Sequence, residues 1–366
     1  MSETNLLYTD VEDSVREAVR DALGDHVTPD AVSAMYDGND EVALKTWEVL
    51  GRELGLAGLL VPESQGGAGG SARDAAVVLE ELGRYAAPGP FLTSAVIAAT
   101  VLVACRDKAS VEGLASGEHA AAVAVPFSTM PGLPFSPTFK ATGKLVSGAA
   151  TTVAGAIEAD LLVIPVEGAA GVELWAVQAS DAEVTPFSSL DMSRQLADVV
   201  VVEALGVLLA GPDRAAELLD HALLLGAALL ASEQVGIAQW CLDETVAYLK
   251  IRRQFGRVVG GFQGIKHRLA DLFCEVEGAR AAARYAAACA DTGEDLAVAA
   301  SVAQAYCSDV AVRAAEECVQ LHGGIGMTWE HPAHLHLKRA KADQVALGTP
   351  GHHRHRLGEL VDLPAR

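Results

Sequence analysis

The chain has 366 residues, enough for two or three structural layers rather than one small core. Half of it is hydrophobic (51%), much of that alanine in helix-favouring runs, and aromatic residues make up only 5%, which argues against a β-rich fold for most of the chain. A formal net charge of −21 repels a phosphate backbone and makes nucleic acid a poor partner on charge, while a locally basic site still admits an anionic ligand.

Residues 1–118 read as a helical domain. The opening MSETNLLYTD carries no basic segment followed by an apolar one, so no export signal is expected and the chain is expected to be cytoplasmic. Thr9-Asp10-Val11-Glu12 forms a capping box, opening a helix that stops near Gly24. Further helices are expected over Glu41–Leu54, Ser71–Tyr85 and Phe91 to about Leu114, with Pro62 and the glycines of Gly55–Gly67 breaking the chain between the first two. Residues 119–207 change character. Short Val-rich runs bounded by turn residues, such as Ala120–Pro126, Leu161–Val166, Glu173–Val177 and Ala197–Val202, predict a small antiparallel barrel or sandwich. Residues 208–366 return to helices. Three long ones, Arg214–Lys250, Phe262–Asp291 and Leu296–Leu321, fit an antiparallel bundle, with shorter helices after His331 and Gly351. Apolar stretches such as Ala222–Ala231 fall short of the roughly 20 residues that a membrane span needs.

Two segments carry chemical signals. Arg252-Arg253-Gln254-Phe255-Gly256-Arg257 follows a long helix, and Gly261-Phe262-Gln263-Gly264 opens the next. Arginines and amides beside a helix N-terminus suit a pyrophosphate, because unpaired backbone N–H groups point outward there. A charged turn of a helical hairpin reads the same way. The second segment, Gln320-Leu321-His322-Gly323-Gly324-Ile325-Gly326, has paired glycines that let a backbone approach a ligand, although glycines also simply end helices. The histidines His331, His334 and His336, then His352, His353 and His355, match no HExxH helix and read as surface or packing residues. The six cysteines form no CxxC pair, so neither a zinc site nor a disulfide framework is expected.

Together these two segments resemble the signatures of the acyl-CoA dehydrogenase family. The resemblance extends to Trp47, Leu54-Gly55-Leu56, Val61-Pro62-Glu63-Ser64-Gln65-Gly66-Gly67-Ala68-Gly69 and Glu80-Glu81-Leu82-Gly83-Arg84, and to the helical, β, helical order. It implies a mostly α fold with a central β domain, FAD as cofactor, an acyl-CoA thioester as substrate and an electron-transferring flavoprotein as electron acceptor. By the same resemblance, Arg252, Gln254, Phe255, Gln263, Gln320, Gly323 and Gly324 hold the ADP half of FAD, largely across a subunit interface.

The family's reaction needs a carboxylate to take the α-proton while a hydride passes from the β-carbon to the flavin. Relatives place that Glu in one of two positions, and the matching residues here are Leu347 and, by ungapped extension from Val235-Gly236, Gly226. Neither accepts a proton. No catalytic base is therefore assigned, with Glu233, two helical turns beyond Gly226, as the alternative, and Glu330 as an ordinary residue for the family. The β domain also departs from the family pattern. Val125-Pro126-Phe127-Ser128-Thr129 replaces a flavin-cradling segment, and Ala141–Ala149 lacks the expected tryptophan, so flavin-ring contacts are expected to come from elsewhere. These departures resemble the base-lacking subunit of the α2β2 actinobacterial members that act on steroid or other bulky CoA thioesters. The alternatives are a self-sufficient homo-oligomer using Glu233, a non-catalytic scaffold, and an acyl-CoA-binding flavoprotein that reacts with O2.

Overall fold

The computed structural model describes residues 6–363; Met1–Asn5, part of the opening read for an export signal, lie outside them. The first helix, α1 (Asp10–Gly24), starts at the expected capping box: Thr9 Oγ1 accepts the Glu12 N–H, and Glu12 accepts the Thr9 N–H at 2.5 Å. α2 (Pro29–Ala34) and α3 (Glu41–Trp47) follow. The helix expected to run to Leu54 instead widens into a π-type turn at Glu48–Glu53. α4 (Ala72–Tyr85) is capped by Ser71. The apolar run after Pro90 is a wide turn (Phe91–Ala98) that leads into α5 (Ala99–Cys105), and Arg106 in the left-handed region separates it from α6 (Lys108–Ala115).

The middle of the chain forms β1 (Ala121–Val123), β2 (Phe139–Thr142), β3 (Leu145–Ala154), β4 (Leu161–Gly168), β5 (Gly171–Gln178), β6 (Ala182–Phe187) and β7 (Leu196–Ala210). Strand β4 pairs with β2 and β5, β2 with β3, β3 with β7, and β7 with β5, so five strands close on themselves as a barrel. The sheet is mixed rather than purely antiparallel, because β1 and β2 both run parallel to β4. Alternation explains the long β7: Ala197, Val199 and Val201 face the barrel core while Val200 and Val202 face out.

The C-terminal domain contains α7 (Ala215–Ile251), a hairpin of β8 (Arg253–Gln254) and β9 (Arg257–Val258), α8 (Gln263–Thr292), α9 (Leu296–His322), α10 (Ala333–Val345) and α11 (Pro350–Leu360). Helix α7 is long and apolar enough to cross a membrane, but 67% of its most apolar window is buried inside the protein, as befits a core helix. Glycines let α4 and α7 cross at backbone contact: a Cβ at Gly83 would run into Glu233 O, and one at Gly236 into Glu80 O. That crossing fixes the middle of α7, and with it Gly226 and Glu233, against the N-terminal domain.

Candidate functional site

Gly226 and Leu347, the two positions that the resemblance matches to a base, lie in an apolar region. A Cβ added at Gly226 would lie 2.8 Å from Ile97 Cδ1 and 3.2 Å from Leu347 Cδ1. Gly226 on α7 and Leu347 just beyond α10 therefore meet at one point, and Ile97 of the N-terminal domain occupies the space between them. Leu347 is 1% exposed and Ile97 4%. The residual void there, lined by Thr93, Ile97, Val123, Phe127, Leu223 and Leu347, measures only about 20 Å³, roughly the room of one water molecule.

Glu233 is fully buried and committed elsewhere. Arg194, on the loop between β6 and β7, donates to both its oxygens at 2.7 and 2.5 Å, and Arg339 of α10 donates to Oε1 at 2.6 Å. Burial alone raises its carboxyl pKa, but the two guanidiniums outweigh burial and hold it below the usual carboxylate range. An ionised, doubly clamped glutamate is a poor proton acceptor, which argues against the alternative that Glu233 is the base. Glu330 is exposed on the loop before α10. Arg339 also binds Asp191 at 2.6 Å and Ser193 at 2.8 Å, joining barrel, α7 and α10 through one buried ionic cluster.

The segments that read as nucleotide-binding lie on the surface at one end of the bundle. Arg252, Gln254, Phe255, Gln263, Gln320, Gly323 and Gly324 are all exposed. Tyr248, one turn before Arg252, stacks on His322 with ring centroids 4.4 Å apart, and its hydroxyl donates to His322 O at 3.5 Å. This stack ties the end of α7 to Gly323, so the two segments form one corner. Phe255 and Gly256 both have positive φ (53° and 77°), which makes the β8–β9 hairpin a type I′-like turn. Phe255 is 91% exposed at its tip, and Arg257 covers the Phe262 ring at 3.7 Å. Lys250, Arg252, Arg253, Arg257 and Lys266 supply five of the chain's 27 basic side chains, with no Asp or Glu between residues 245 and 270, while the nearby Arg268 is paired with Glu317 at 2.6 Å. Among the described residues, neither Arg252 nor Arg253 forms an ion pair.

Helix α8 starts at this corner with no side-chain cap, leaving its first N–H groups open. Gly261, Gly264 and Gly324 adopt φ values open to any residue, yet a Cβ there meets nothing within 4 Å. Their lack of side chains leaves room for something outside the chain. Basic side chains, an uncapped 30-residue helix and this open space fit a dinucleotide pyrophosphate.

The chain matches the acyl-CoA dehydrogenase N-terminal domain over residues 9–109 and the acyl-CoA dehydrogenase C-terminal domain over residues 216–361. It is 35% identical to acyl-CoA dehydrogenase IpdE2 of Mycolicibacterium smegmatis, covering 94% of this chain and 96% of the relative. The chain belongs to the acyl-CoA dehydrogenase family. Members bind FAD, and Arg252, Gln254, Gln263 and the Gly323-Gly324 turn are the groups at the basic corner suited to its phosphates. Identity to acyl-CoA dehydrogenase FadE34 of Mycobacterium tuberculosis is 36% over 98% of this chain, but the chain spans about half (49%) of that relative's length. Among solved structures, the Tcur3481-Tcur3483 steroid ACAD variant superposes with a TM-score of 0.84 at 26% identity, covering 96% of this chain and 98% of that one. The ChsE4-ChsE5 complex of Mycobacterium tuberculosis shares the fold, with a TM-score of 0.87 at 24% identity over 99% and 100% of the two chains.

Of the clustered histidines, His336 and His353 are packing groups and His352 and His355 are exposed. His336 is buried and stacked on Trp240 at 3.6 Å, and His353 contacts Leu347 O through Nε2 at 2.9 Å. Glu244, His322 and His331 bring possible ligand atoms within 4.8 Å of one another. His331 Nδ1, however, accepts the Ala333 N–H, which leaves the proton of the neutral ring on Nε2, the atom facing Glu244. That tautomer does not offer a metal lone pair. Three features escaped the sequence reading: Ile97 inside an apolar run, the Tyr248–His322 stack, and the cluster around Arg194 and Arg339. The Asp191-Met192-Ser193-Arg194 turn was the available signal for the last.

Proposed function

We propose that this chain is the base-lacking subunit of an FAD-dependent acyl-CoA dehydrogenase, holding the ADP half of a cofactor whose flavin ring and catalytic glutamate sit in a homologous partner. The observation that carries the proposal is the convergence of Gly226 and Leu347. The two positions that the family resemblance matches to a base lie against each other, and both are apolar in a tightly filled site. The exposed basic corner supports the second half, since its cationic groups face away from this chain's own core. FAD would bring hydride acceptance; this chain's part is to bind and orient the phosphates through Arg252, Gln254 and Gln263.

The relatives lend support of two kinds. The solved steroid ACAD variant is named for two gene products, and a double-length relative leaves room for a second unit of this size in one chain. A bulky CoA thioester, such as a steroid derivative, is the substrate class in keeping with that neighbour. An electron-transferring flavoprotein is the acceptor in keeping with the family, and the protein works in the cytoplasm.

Co-expression with a homologous chain that carries an intact glutamate tests the proposal. The expected product is an α2β2 complex with one FAD per pair, active in reducing dye with acyl-CoA. Arg252→Ala should weaken FAD retention in that complex, whereas a pure scaffold would tolerate it. One tightly bound FAD per chain, with turnover, in the isolated protein would overturn the proposal.

A further inference from the structure

The buried cluster at the junction of barrel and bundle contains one carboxyl too many. Arg194 and Arg339 face Glu233 from α7, Asp191 from the barrel loop and Asp343 from α10; four of these five residues are at most 1% exposed, and Arg194's side chain only 11%. Two guanidiniums cannot balance three carboxylates held this deeply, and the further cation acting on the cluster, Lys338, is partly exposed and acts on Asp191.

The hydrogen bonds identify the odd member. Both Glu233 oxygens are engaged by guanidiniums, and both Asp191 oxygens are engaged, Oδ2 by Arg339 and Oδ1 by the Ser193 N–H and hydroxyl. Asp343 Oδ1 accepts from Arg194 at 2.7 Å, but its Oδ2 is buried without a partner. The amides of Gln234 on α7 and Gln304 on α9 both donate to the Asp343 carbonyl, and their own oxygens are unpartnered too. The surroundings therefore hold three unsatisfied acceptors.

We propose that Asp343 is held as a neutral carboxylic acid, and that its proton locks the barrel onto the helical bundle. A proton on Oδ2 brings the cluster to neutrality and supplies a donor where acceptors are in excess. Burial and the neighbouring Glu233 charge both push Asp343 upward, in the same direction as the geometry. Loss of the proton would set a third anion against Glu233 and compete for Arg194. Arg194 and Asp191 also wall a cavity of about 350 Å³ between barrel and α10, so the lock would set the shape of that cavity.

The sign follows from linkage. An acid whose folded pKa is raised stabilises the fold most below its unfolded value, near 3.8, and that contribution is lost as pH rises toward the folded value. Glu158 is raised to about 7 by burial and acts in the same direction, so the test is run in a Glu158→Gln background. Thermal midpoints of the full chain with and without Asp343→Asn are compared between about pH 5 and pH 8. The amide mimics the protonated acid, so the variant should gain on the parent by about 3 °C per pH unit until the folded pKa is reached. Infrared difference spectra should show a protonated carboxyl C=O band at neutral pH that Asp343→Asn removes. Parallel midpoint profiles, or no such band in the folded parent chain, would overturn the proposal; the spectrum decides it even if the variant folds poorly.

Discussion

Replacing Glu233 by glutamine separates a structural carboxylate from a catalytic one. The side chain keeps its size, so no cavity forms, but two buried guanidiniums lose their shared anion. Three charge-assisted contacts of 2.5 to 2.7 Å become at best neutral hydrogen bonds. Breaking a buried pair from one side costs about 3–5 kcal/mol, a large part of the roughly 5–15 kcal/mol that holds a protein folded. At about 2–4 °C per kcal/mol, the thermal midpoint should fall by roughly 6–20 °C. The assay has two arms, calorimetry of the chain and acyl-CoA-dependent dye reduction by the assembled complex well below its midpoint. The cluster predicts a low midpoint with turnover per assembled complex largely retained. An unchanged midpoint with turnover abolished would refute the reasoning and return Glu233 to the chemistry.

Three further outcomes follow from the geometry. Leu347→Glu should not create a dehydrogenase in the isolated chain, because the acid would enter an apolar plug; it should instead cost about 3–5 kcal/mol in chemical denaturation, from lost apolar burial and an unpaired polar group. Phe255→Gly should leave the folded chain as stable or about 1 kcal/mol more stable, since glycine accepts the positive φ freely, yet it should weaken FAD binding in the complex, measurable by flavin release. His336 is held neutral, its pKa pushed down by burial to about 4, so stability should fall as pH drops from about 6.5 towards 4. The full effect is on the order of 3 kcal/mol, and the slope should flatten in His336→Phe, read by denaturant titration at several pH values.

The helices were legible because their signals are local. Thr9 and Ser71 announce α1 and α4 through capping residues, and the long alanine-rich runs of α7, α8 and α9 have no breaker inside them. The barrel was only half legible. Strands β4 and β5 are apolar runs, whereas β3 carries Ser, Gly and Thr and bulges near Gly148 and Thr152, so its periodicity is broken where it pairs. Parallel pairing of β1 and β2 with β4 depends on long-range register that no local pattern encodes. The ionic cluster was hidden for a different reason. His336-Leu337-Lys338-Arg339-Ala340-Lys341 reads as a solvated helix face, and Lys341 does reach outward to Glu316 at 3.0 Å. Only packing against α7 and the barrel loop turns Arg339 inward. The chemistry-bearing motifs were legible as exposed residues, but nothing in them predicts that His322 would stack on Tyr248 and join the two.

The convergence of Gly226 and Leu347 bears on more than the missing base. A chain that had merely lost a glutamate would keep the space that a reacting thioester needs, and restoring the acid could then restore the reaction. Here Ile97, contributed by a third element, fills that space, and the remaining void is about 20 Å³. Filling it adds contacts among the N-terminal domain, α7 and the end of α10, which favours a rigid subunit over a vacant pocket. The basic corner lies at the opposite extreme of burial, with Phe255 held in an uncommon backbone conformation at the tip of an exposed hairpin. Strain of that kind is held by the hairpin around it, and such positions cluster at ligand clamps. A closed interior and a presented, basic edge are the two features that the proposed role on a neighbour's cofactor requires.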